Sequence, residues 1–139
     1  MVVWDPPIRD YQFLYHELLP AIETVQRLGY TDFNADFLDS LIEGWATHCE
    51  EVWLPINQLG DREGLKFEDG KITMPQEFKD AYRKGIDEGW LSTTCELEHG
   101  GMGVPLFFQA VTWAEFGTSA CMALSVLPAL SIGVYEVLV

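Results

Sequence analysis

The chain has 139 residues, enough for one domain, and at 48% hydrophobic and 13% aromatic it has ample material for a core. Its 22 Asp and Glu against 8 Lys and Arg give a formal net charge of −14. Such a field argues against nucleic acid or an anionic membrane surface as partner, and it describes a solvated acidic surface. Cys49, Cys95 and Cys121 are odd in number and widely spaced, with neither CxxC nor a Cys/His cluster. Structural zinc is not expected, and a reducing compartment fits. The N-terminus has no cationic region followed by an apolar run, so no secretory signal is expected and the localisation read from the sequence is cytoplasmic.

Asp5, followed by Pro6 and Pro7, reads as a capped helix start or an extended lead-in. Tyr11, Leu14, Tyr15, Leu18 and Leu19 recur at helical spacing, and Pro20 kinks or ends that turn. Ile22, Val25 and Leu28 continue a shorter pattern closed by Gly29. His16 reads as a surface or capping histidine. Asn34 can cap the next helix. There Phe37, Leu38, Leu41, Ile42, Trp45, Cys49, Val52 and Trp53 follow a 3.6-residue period, the clearest amphipathic stripe in the chain. Pro55 is expected to kink or stop it, and Gly60–Gly64 reads as a polar connector.

Asp69-Gly70 between short alternating runs signals a small hairpin. Pro75 opens another helix, with Phe78, Ala81, Tyr82 and Ile86 on its buried face and Gly89 just past its end. Gly100, Gly101 and Gly103 then mark a loop, which is not a dinucleotide fingerprint because no predicted strand feeds it. After Pro105, the residues Leu106, Phe107, Ala110, Val111 and Ala114 form one helical face, which Gly117-Thr118-Ser119 interrupts. Residues 120–139 are mostly apolar, with Glu136 as their one charge. That length approaches a membrane span, but Pro128, Ser125, Ser131, Glu136 and the absence of basic flanks argue against one. An all-round apolar helix of this kind needs a covering surface, in further sequence or in another subunit.

The order of elements and three strings resemble the N-terminal region of flavin-dependent acyl-CoA dehydrogenases. The first string, Arg9 to Leu19, is similar to the N-terminal extension of one branch, which includes enzymes for 3-methylmercaptopropionyl-CoA and related acyl-CoA thioesters. The second runs from Gly60-Asp61-Arg62-Glu63-Gly64 through Phe67-Glu68-Asp69-Gly70 to Pro75, with Phe78, Ala81 and Tyr82. The third, Gly89-Trp90 through Glu98-His99-Gly100-Gly101-Met102-Gly103-Val104-Pro105, resembles the family's Pro-Glu-aromatic-Gly-Gly-X-Gly loop. Leu97 stands where the family usually has proline, and His99 where it often has tyrosine.

The resemblance implies an all-α fold with a small β-hairpin. Residues 1–32 would be an N-terminal extension, and 33–139 a truncated N-terminal helical domain. In the family a middle β domain supplies most of the FAD site. A C-terminal helical domain supplies the glutamate that takes the α-proton of the thioester, and hydride leaves the β-carbon for flavin N5. The partners implied are an acyl-CoA thioester, an electron-transfer flavoprotein-like acceptor and further copies in a homo-oligomer. No catalytic role falls on Glu98, Glu115 or Glu136. The segment's part would be one wall of the acyl cavity, with Met122, Ser125, Val126, Leu127 and Leu130 as candidates, because apolar, adaptable side chains suit an acyl tail. The alternative is a non-catalytic helical module that docks a partner through its apolar C-terminal helix.

Overall fold

The computed structural model describes residues 4–108 and 113–139, with the side chains of 129 and 130 left aside. The expected face contributions of Ala110 and Val111, and the side chain of Leu130, lie outside the described residues.

The architecture is all-α with one two-stranded antiparallel sheet. Helix α1 (Ile8–Gln12) runs into a π-helical segment, Phe13–Leu18. Pro7 sits at its N-cap with no side-chain cap, so Asp5 is a lead-in and does not cap. Leu19 is extended, as the residue before a proline tends to be, and α2 (Ala21–Arg27) starts afresh after Pro20. Helix α3 (Ala35–His48) is capped as expected: the Phe37 N–H donates to Asn34 Oδ1 at 2.9 Å.

Pro55 does not stop the rod. A π-helical turn, Cys49–Trp53, carries α3 into α4 (Leu54–Glu63). Proline removes one intrahelical hydrogen bond and crowds the preceding turn, and the wider π turn takes up the extra residue. Gly60 to Glu63 therefore belong to the last turn of α4, and only Gly64 leaves it, at φ +60°. Strands β1 (Lys66–Glu68) and β2 (Lys71–Thr73) follow. Asp69 and Gly70 both have positive φ between them, the geometry of a tight I′ hairpin turn. Helix α5 (Gln76–Asp87) has Pro75 as its N-cap. It buries Phe78, Ala81 and Gly85, while Ile86, expected inside, is exposed.

The glycine loop holds two 3₁₀ turns, Trp90–Ser92 and Leu97–His99. Helix α6 (Leu106–Phe108) opens after Pro105. Helix α7 (Ala114–Ser125) then runs straight through Gly117-Thr118-Ser119. Gly117 is buried where a Cβ would crowd the rings of Trp45 and Trp53, so its missing side chain serves packing and not a break. The irregularity falls instead at Cys121, whose φ −155° and ψ 95° are not helical. The apolar C-terminal stretch is thus not one helix: a turn over 126–128 separates α7 from α8 (Ala129–Leu138). Among the described residues no helix is long and apolar enough to cross a membrane.

The core forms where α7 lies against the π turn Cys49–Trp53 and α4, with α1 packed on α3. Its largest fully buried side chains are Trp45, Trp53, Phe108, Phe116, Leu38 and Ile42. Tyr11 and Tyr15 join it through edge contacts with Phe116 and Phe107.

Candidate functional site

The end of α7 separates the predicted wall residues. Leu124 and Ser125 are buried in the core. Met122 and Val126, four residues apart, share the outward side and are 65% and 52% exposed. Leu127 sits in the turn and reaches another surface, a groove of about 450 Å³ between α4, the hairpin, α5 and α7. There it meets Leu65, Met74, Phe78 and Ala123. A neighbouring hollow of about 480 Å³ shares Met74, Phe78 and Leu127. The structure therefore brings Met122 and Val126 together, places Leu127 on a separate apolar groove and folds Ser125 inward.

The glycine loop is closed on itself. Gly101 N–H donates to the Glu96 carbonyl (3.0 Å), Gly103 N–H to the Cys95 carbonyl (2.9 Å) and Val104 N–H to the Thr93 carbonyl (2.9 Å). A Cβ at Gly101 would fall on the Cys95 carbonyl, which is why glycine is required there. These amides are spent within the loop, so it offers no open cradle for the phosphates of a flavin nucleotide. Leu97, in place of the family's proline, still enters a 3₁₀ turn. His99 meets the edge of Tyr135 at 5.7 Å, and the Tyr135 hydroxyl accepts from the Glu96 N–H at 3.0 Å, which ties α8 to the loop.

The weighed carboxylates fall apart in space. Glu115 accepts a hydrogen bond from the Tyr11 hydroxyl, whose acidity burial and that carboxylate suppress. Glu136 is exposed. Glu98 places a ligand atom within 4.8 Å of those of Glu96 and His99, but all three are exposed, as an acidic surface readily supplies. His16 pairs with Asp39 at 2.8 Å on the surface.

One polar residue escaped the sequence reading. His48, at the end of α3, is buried, its ring stacked 5.5 Å from Trp45. Its Nδ1 lies 2.6 Å from Glu88 Oε2, and its Nε2 has no partner. Glu88 also accepts from Trp90 Nε1 (3.2 Å) and pairs with Lys84 (2.8 Å), so the group joins α3 to the end of α5 and the glycine loop. Burial lowers the His48 pKa below 6.5 and outweighs the Glu88 carboxylate, which pulls the other way. The geometry agrees: a second ring proton would sit on a buried nitrogen with no acceptor. The Lys84 ammonium and then His48 hold the Glu88 carboxyl below its ordinary value.

Both shifts have the same sign for stability. Below pH 6.5 the unfolded chain takes up a proton that folded His48 resists, so stability falls as the pH drops from there toward the folded pKa. The Glu88 contribution is present above 4.5 and is lost as the pH falls further. The urea midpoint should therefore drop between pH 7.5 and 5.5, and His48→Gln should flatten that slope. An equal slope in the variant would remove His48 as its source.

Along its whole length the chain is similar to part of one acyl-CoA dehydrogenase. Over 139 residues the chain is 32% identical to the 3-methylmercaptopropionyl-CoA dehydrogenase of Ruegeria pomeroyi, covering 99% of this chain and 23% of that protein. The chain thus spans about a quarter of the length of the curated relative it matches. No family model matches it.

Proposed function

We propose that this chain is the substrate-side helical domain of a flavin-dependent dehydrogenase that oxidises an acyl-CoA thioester to the 2,3-enoyl-CoA. Residues 1–32 act as its extension and 33–139 as the domain proper. The observation that carries the reading is the end-to-end similarity to one segment of a much longer acyl-CoA dehydrogenase. The outward pair Met122 and Val126 supports a role as part of the acyl wall, since two apolar side chains on one exposed helix side await a cover. Leu127, on its separate groove, Ser125 and Leu130 are the remaining candidates for contact with the acyl tail. FAD and the catalytic base belong to the rest of the enzyme, consistent with a glycine loop whose amides are already used. The enzyme works as a homo-oligomer in the cytoplasm and passes electrons to an electron-transfer flavoprotein-like acceptor.

The full-length reading frame should purify with stoichiometric flavin and dehydrogenate members of an acyl-CoA panel. These 139 residues alone should be colourless and inactive. A yellow, stoichiometric flavin complex of the isolated chain would contradict this division of labour. A full-length protein without flavin or turnover would favour a helical docking module, whose exposed Val134, Val137 and Leu138 on α8 would then be its contact surface.

A further inference from the structure

The hollow beside α5 differs in charge from the rest of the chain. Met74, Phe78 and Leu127 form its apolar lining, where it adjoins the groove that Leu65 and Ala123 also line. Its polar lining includes Gln76, Lys79, Asp80 and Arg83. Lys79 and Arg83 stand one turn apart on exposed positions of α5, so they are neighbours on one helix face. Among the described residues neither is in an ion pair, although the chain carries 22 carboxylates. Lys84, by contrast, is held by Glu88 at 2.8 Å. Asp80 is the hollow's one carboxylate, and it accepts from Gln76 Nε2 at 2.8 Å. Two cations against one anion leave a positive hollow on a chain of net charge −14.

Polarity therefore changes along the two cavities. The groove carries Asp61 from the end of α4, and the hollow carries Lys79 and Arg83 from α5. An anionic head is repelled from the first and attracted to the second, and the lining between them is apolar. A matching ligand is apolar along its length and anionic at one end. A guanidinium meets a carboxylate through two parallel N–H donors, and an ammonium one turn away adds charge without fixing geometry. A neutral lipid would leave both cations unused, and a small anion without a tail would leave the apolar lining wet. We propose that the adjoining cavities between α4, α5 and α7 bind a fatty acid. Its carboxylate lies on Lys79 and Arg83, and its chain runs along Met74, Phe78 and Leu127 into the groove. The site is separate from the outward pair Met122 and Val126, and it does not rest on the dehydrogenase reading.

The test is calorimetric titration of decanoate into the full-length protein, with circular dichroism confirming that each variant is folded. Decanoate should bind, and affinity should rise about fourfold with each methylene added from hexanoate upward. K79E/R83E exchanges two exposed side chains and should weaken decanoate binding about tenfold or more. Decanol has the same chain without the charge, so it should bind more weakly than decanoate and be indifferent to K79E/R83E. Met74→Glu should weaken both ligands, because it puts a charge on the apolar lining. In K79E/R83E acyl-CoA turnover per flavin should stay as in the wild type. Decanoate binding is read whether or not turnover is found, so the two readings fail separately. No decanoate binding up to its solubility limit, or binding that K79E/R83E leaves unchanged, would overturn the proposal. So would decanol binding as tightly as decanoate.

Discussion

Trp45→Ala should cost the chain about 3–5 kcal/mol of stability, the usual range for removing a large buried aromatic. Trp45 is fully buried, stacked 5.1 Å from Trp113 and 5.5 Å from His48, with Trp53 edge-on at 5.0 Å. Its Nε1 donates to the Trp113 carbonyl at 3.1 Å, and Trp113 Nε1 donates in turn to the Trp90 carbonyl at 3.0 Å. The ring therefore fills the space between α3, the π turn and the start of α7, and the two hydrogen bonds link that space to the glycine loop. Alanine would open a cavity and leave the Trp113 carbonyl without its donor. A domain has only about 5–15 kcal/mol in hand, so much of it would go. Urea unfolding followed by circular dichroism measures the change, and Trp45→Phe should recover part of the loss. A cost below about 1 kcal/mol would mean that the tryptophan cluster does not organise the core.

Much of this core is legible in the sequence, because its signals are local. The stripe from Leu38 to Trp53 keeps its period, Asn34 stands one turn before Leu38, and Asp69-Gly70 names its own turn. What stayed hidden depends on partners far along the chain. Gly117 has the composition of a break, yet the rings of Trp45 and Trp53 make it a packing position. Pro55 has the chemistry of a stop, yet a π turn absorbs it. Ile86 fits the apolar face of α5, but Gly85 takes the inward place opposite Leu91. His48 looks like one more polar residue near a helix end, and only Glu88 and Trp90, forty residues further along, complete its buried surroundings. The candidate wall was legible in part. The spacing of Met122 and Val126 places them on one side of a helix, but which side looks outward depends on the packing of Phe116, Ala120 and Leu124 against the core.

The central claim is that the outward side of α7 is a wall of the acyl cavity, and kcat/KM of the full-length enzyme carrying M122E/V126E tests it most directly. Both side chains are solvent-exposed in the domain by itself, so glutamate there should not disturb folding of this segment. Once the rest of the enzyme covers them, two carboxylates would face an acyl tail in a water-poor cavity. Desolvating a charge without a partner costs several kcal/mol, and each 1.4 kcal/mol is a factor of ten in rate. A fall of kcat/KM by about a hundredfold or more is therefore expected, steeper for longer acyl chains, with flavin content still stoichiometric. M122L/V126I should stay close to the wild type. Wild-type turnover across the whole acyl-CoA panel in the glutamate variant, with flavin bound, would contradict the account.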